Sequence, residues 1–180
     1  MGWTDQMKVE HAKRLDELDH RSLALWAAVC AERVLPCFEE NCPEDDRPRK
    51  AIEAGRAWAR GEIACGEARA AAVAAHAAAR ATNHVAARAA ARAAGHAAAT
   101  AHVAGHARHA AAYSVKAATA AGIASATERD WQRRRLPEHL RPAKISKASR
   151  FHPPRLGQRA PVKLMRRRKT NPRISRIAAN

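Results

Sequence analysis

Between Glu67 and Glu128 the chain has no carboxylate, yet it carries six histidines and several arginines set among alanines. His102, His106 and His109 are spaced by four and then three residues. On a continuous helix that spacing puts three imidazoles on one face. Imidazoles so placed can hold a divalent metal or move protons. A metal site needs a completing acid or further close ligands, and this stretch has neither an acid nor an HExxH pattern. The expectation is therefore no metal and no cofactor. Arg92, His96, His102 and His106 are expected instead to form a polar cluster at a helix junction, tucked between alanine faces and bonded to backbone carbonyls. These four are the candidate binding residues. A metal-dependent enzyme built on His96, His102 and His106 is the rival reading.

The other reactive residue types form no catalytic pattern. Cys30, Cys37, Cys42 and Cys65 include no CxxC pair, so they are read as packing or free thiols. Glu32, Glu39, Glu40, Asp45, Asp46, Glu53 and Glu62 give the first half an acidic share, read as a solvated face. There is no Gly-rich phosphate loop, no GxSxG and no kinase or Rossmann fingerprint. No catalytic residue is assigned, and the chain is read as a non-enzyme.

The elements that must position these residues read as helices throughout. More than half of Glu67–Ala121 is alanine, the strongest helix former, because it loses no side-chain entropy on ordering. An alanine face also lets another helix approach to about 8 Å. Thr4 or Asp5 can cap a first helix carrying Val9, Ala12, Leu15 and Leu18. Asp19 can cap a second, apolar helix from Arg21 to Val34, stopped by Pro36. Asn41 to Asp46 reads as a loop. Asp46 caps a third helix with Pro48 in its first turn, Ile52, Ala59 and Ile63 facing inward, and Gly61 and Gly66 bracketing its end. Glu67 opens a fourth helix to about Ala81, with Thr82-Asn83-His84 as the connection. A fifth runs from Val85 to about Ala101. A break is expected near His102 to Gly105, then a sixth helix to about Ala120. Thr127 caps a last helix, and Glu138-His139-Leu140 makes one further turn. No segment alternates as a strand does. Trp26, Trp58, Trp131 and Tyr113 are expected to anchor a core otherwise short of large side chains.

The net charge is +16, but it is unevenly placed. Lys144 to Asn180 holds twelve Lys and Arg, several prolines and no acid, while the body before it is nearly balanced. Such a tail buries too little apolar surface to offset ordering entropy and is expected to be disordered. Its cations suit weak, salt-sensitive nucleic-acid binding. No signal peptide and no membrane-length apolar run is visible, so a cytoplasmic setting with reduced thiols is expected.

Five separated blocks resemble one bacterial family. They are HRSLALWAAVCAERVLPCFEE (20–40), DDRPRKAIEAGRAWARGEI (45–63), ARAAGHAAATAHVAGHA (91–107), AAAYSVKAA (110–118) and ERDWQRRRLPEHLRP (128–142). The family is that of immunity proteins similar to the fifth immunity class of polymorphic toxin systems. The resemblance covers about residues 15–142. It implies an all-α domain with an antitoxin-like role, binding and blocking a partner toxin without turnover, and it brings no catalytic residues. The family tends to end soon after the Leu136-Pro137 segment, so the tail is an addition to its pattern. The combined expectation is a compact all-α bundle of about six to eight helices over 1–142, followed by a basic tail over 143–180. A nucleic-acid-associated helical protein using that tail is the alternative.

Overall fold

The computed structural model describes residues 4–141, and the basic tail lies outside the described residues. Seven α-helices follow in order: α1 (Asp5–Val34), α2 (Pro36–Glu39), α3 (Arg47–Arg60), α4 (Cys65–Ala81), α5 (Val85–Ala99), α6 (His106–Ala120) and α7 (Ser125–Arg135). A 3₁₀ turn, Glu138–Leu140, closes the described chain. The described residues contain no strand, and no helix among them is long and apolar enough to cross a membrane.

The expected first two helices are one. Thr4 Oγ1 accepts from Met7 N, and α1 then runs for 30 residues, roughly 45 Å at the usual rise. Asp19 does not interrupt it, because no Gly or Pro lies between Asp5 and Val34 and one aspartate costs a helix only about 0.5 kcal/mol. Pro36 acts as expected, restarting the chain as α2 with proline in its first turn.

Three other starts and stops differ from expectation in detail. Asp46 sits before α3 without a side-chain cap, and its carboxylate pairs instead with Lys50 at 2.8 Å. Asp45 takes the capping role, accepting from Arg47 N at 3.2 Å. Gly61 ends α3 in the left-handed region at φ 81°, but Gly66 belongs to the first turn of α4. Glu67 Oε1 reaches back to Ala64 N at 3.0 Å, so it closes the start of α4 from the third helical position. Thr127 lies inside α7, which begins at Ser125.

α5 is the centre of the fold, touching α1, α2, α3, α4 and α6. Apart from Cys30, Val34, Leu35, Phe38, Ile52, Val115 and Pro48, the buried apolar side chains are all alanine. Helices coated in methyl groups approach closely, and the gap between them has no room for an indole. Trp26, Trp58, Trp131 and Tyr113 are therefore only half-buried, at the edges of the alanine core rather than in it. This corrects their expected place as core anchors. Phe38 is the largest fully buried side chain. Gly55 marks a close crossing: a Cβ there would lie 3.2 Å from the carbonyl oxygen of Ala97, so α3 and α5 meet backbone to backbone.

α7 is fastened to the body by a buried polar network. Glu128 is fully buried and accepts from Arg33 Nε at 2.8 Å and Gln132 Nε2 at 3.0 Å. Gln132 Nε2 also donates to Ala111 O at 3.1 Å, and Trp26 Nε1 donates to Gln132 O at 3.0 Å. Trp131 lies between the guanidiniums of Arg33 and Arg135, 4.3 and 3.9 Å from its ring centroid.

Candidate functional site

The histidine-bearing helices are locked before they reach the site. Arg88 donates from Nε and Nη2 to Thr82 O, which fixes the short link from α4 to α5. His84 Nδ1 accepts from Ala87 N at the start of α5. At its other end α5 stops after Ala99. The side chain of Thr100 turns back to His96 O at 3.0 Å, and His20 of α1 bonds Thr100 O at 2.5 Å. Carbonyls freed at a helix end need such partners, and here α1 supplies one. Gly105 keeps a right-handed φ of −59°, so the break does not come from a glycine-only conformation.

These constraints bring Arg92, His96, His102 and His106 together, and they add residues from two further places. His96 is the hub. Its ring centroid lies 4.9 Å from His76 of α4, 5.3 Å from His106 and from His109 of α6, and 5.3 Å from Tyr113 in a near-parallel stack. His102, in the link before α6, lies 5.0 Å from His106. Arg92 Nη1 donates to Tyr113 Oη at 3.4 Å, with its guanidinium 5.7 Å from the ring centroid, and Lys116 Nζ lies 4.7 Å from that ring. The rings thus contact one another more than the backbone carbonyls expected of them.

His96 Nδ1 and His106 Nδ1 are 3.1 Å apart. One ring must donate and the other accept, so that contact does not survive protonation of both. Electrostatics acts in the same direction. Burial, then the neighbouring His76, His106, His109 and Arg92, pushes the His96 pKa down to about 4. Burial first, then Arg92, Arg80 and His106, also lowers His76. His106 is lowered by burial and by His102 and His109. At neutral pH His76, His96 and His106 are therefore neutral imidazoles, with the permanent cations Arg80 and Arg92 beside them. A cavity of about 320 Å³ opens beside it, lined by His76, Arg80, Arg92 and His96.

His76 and Arg80 are the members that sequence reading did not assign. The signal available was Gly95, a lone glycine inside an alanine helix, which marks a close approach. A Cβ on Gly95 would come within 2.7 Å of the His76 ring, so the imidazole rests directly on the α5 backbone. Among the described residues, no group of three or more His, Cys, Asp and Glu is arranged to hold a metal ion. The thiols are dispersed and free. Burial, with Glu128 nearby, pushes Cys30 up to about 12, while Cys65 is exposed.

Several carboxylates of the first half are engaged in ion pairs. Glu32 takes both terminal nitrogens of Arg56 at 2.7 and 2.6 Å, Arg49 pairs with Glu39, Arg47 with Asp45 and Arg60 with Glu62. A second apolar feature lies on α1. From Thr4 to Leu18 every residue is exposed. Leu15, Leu18, Ser22, Leu25 and Val29 follow one helix face, and the last three, with Trp26, Arg135 and Pro137, line a groove of about 340 Å³.

Comparison with curated proteins and with solved structures finds no match. A family model described as Imm-5 like putative immunity protein matches residues 13–139, which hold all of α2 to α7, most of α1, the histidine cluster and the groove. With most of its length under that one model, the chain belongs to the Imm-5 like immunity protein family.

Proposed function

We propose that the protein binds a partner toxin and blocks it by occlusion, without turning over a substrate. The observation that carries this reading is the family match across residues 13–139. Two physical features support it. The body is a set of closely packed helices clamped by side-chain bonds, suited to presenting a rigid surface whose ordering is complete before binding. Leu15, Leu18 and Leu25 are exposed on the α1 face that leads, past Ser22, into the groove beside Trp26 and Val29, and an apolar face of this kind is what a protein partner buries. The α1 face and the Leu136-Pro137 segment are the partner surface that this reading proposes.

Co-expression with the toxins encoded beside its gene tests the reading. Protection of the host together with a co-purifying complex is the expected result. Neither protection nor a complex with any of them would remove it. Leu18→Asp and Leu25→Asp, on exposed positions, are expected to weaken the complex at least tenfold while leaving the thermal midpoint nearly unchanged.

A further inference from the structure

Five arginines outside the α4–α6 region pair with carboxylates of the chain: Arg33 with Glu128, Arg47 with Asp45, Arg49 with Glu39, Arg56 with Glu32 and Arg60 with Glu62. The arginines of the cavity beside His96 have no such partner among the described residues. Arg80 and Arg92 line it with His76 and His96. The groups acting on those rings are His76 and Arg80 from α4, Arg92 and His96 from α5, His106 and His109 from α6, and His102 from the link between them. Tyr113 and Lys116 of α6 adjoin them. All are cations, imidazoles or a phenol. Among the described residues no carboxylate pairs with Arg80, Arg92 or Lys116, and residues 1–3 and 142–180 contain no Asp or Glu. The chain's own acidic side chains do not supply the balancing charge, which is left to solvent ions or to an anionic ligand.

We propose that this cavity binds the phosphate group of a small phosphomonoester, held between the guanidiniums of Arg80 and Arg92 with imidazole N–H groups of His76 and His96 as further donors. The donor set decides for phosphate over carboxylate. Two guanidinium forks and two imidazoles offer more donors than the two oxygens of a carboxylate use, whereas a phosphate ester presents three acceptor oxygens and close to two charges. The volume of about 320 Å³ lies at the small end of the range for organic ligands, which leaves room for more than a phosphate ion. The His76 and His96 rings are held neutral without a ligand, and a bound dianion favours imidazolium, so binding is expected to take up protons. Gly95 belongs to the same device, because its lack of a Cβ lets His76 lie against α5 at the cavity wall.

The test uses the full chain and a local readout, since the twelve cations from Lys144 onward also attract anions. Adenosine monophosphate, inorganic phosphate, adenosine and acetate are titrated at about 0.15 M salt, and the ring C–H resonances of His76 and His96 are followed by NMR. Adenosine monophosphate is expected to shift both signals saturably, while adenosine and acetate leave them in place. Arg92→Gln is expected to weaken binding about tenfold, the loss of a charge-assisted bond. Arg80→Gln, at an exposed position that does not threaten folding, is expected to weaken it as well. Gly95→Ala, which favours the helix but displaces the His76 ring, is expected to do the same. Inorganic phosphate binding as tightly as the nucleotide upholds the site and makes the free ion its ligand. No saturable shift with either phosphate, equal binding of acetate, or unchanged titration of both arginine variants would overturn the proposal. It stands apart from the toxin-binding reading, because protection in cells and these ring signals are separate readouts.

Discussion

At Glu128 a carboxylate is taken wholly out of water, with Arg33 Nε and Gln132 Nε2 on its oxygens. Arg33 is 34 % exposed, so the two partners are unequal. Glu128→Ala leaves an arginine that can still reach water. Arg33→Ala strands a buried acid and also removes the cation stacked on Trp131. Denaturant unfolding at neutral pH is therefore expected to show a loss of about 3 kcal/mol or more for Arg33→Ala, and a smaller loss for Glu128→Ala. His96 gives a pH signature of opposite origin. Its folded pKa of about 4 lies below the usual 6.5, so the unfolded chain binds the proton first. Its contribution is complete above about pH 6.5 and is lost as the pH falls towards 4. Between pH 7 and pH 5 this amounts to roughly 1 kcal/mol after allowance for its partial exposure to solvent. Thermal unfolding across that range should decline more steeply for the parent chain than for His96→Gln. Equal slopes would mean that burial does not depress this imidazole. At this scale the sequence suggested a polar cluster of Arg92, His96, His102 and His106, and the structure sets these side chains near one another. It did not show His76, which reaches them only through the packing of α4 on α5 at Gly95.

The helices themselves were largely legible, because their breaks are chemical. Thr82-Asn83-His84 and the link from Thr100 to Gly105 fall where alanine gives way to capping residues and glycine. The continuity of α1 was not legible. A polar run around Asp19 looks like a boundary in sequence, yet nothing there blocks helical backbone, and the exposed first half then simply continues the buried second. The aromatic residues misled for a related reason. Size suggests a core position, but methyl-coated helices set the spacing first and leave indoles at the rim. Gly55 tests that account of the spacing. Gly55→Ala improves intrinsic helix propensity by about 1 kcal/mol, yet the new methyl meets the Ala97 carbonyl at 3.2 Å and forces α3 from α5. The expected outcome is a net loss of roughly 1 kcal/mol in denaturant unfolding. A stabilised variant would show that the α3–α5 crossing is looser than a backbone-to-backbone contact.

For the molecule as a whole, composition and helix pattern were enough for an all-α body, and five sequence blocks were enough to suggest its family. What the chain does with that body was not written in any one motif, because binding surfaces are assembled from residues far apart in sequence. The seam on α1 joins Leu15 to Pro137, and the phosphate cavity joins His76 to His96. The most direct measurement is a titration, with the purified full chain, of the activity of a toxin against which it protects in co-expression. Block by occlusion predicts that activity falls linearly and reaches its floor at one equivalent, with toxin recovered intact after the complex is dissociated. Complete inactivation by a small fraction of an equivalent, or a toxin left chemically altered, would contradict the account, because either result requires turnover.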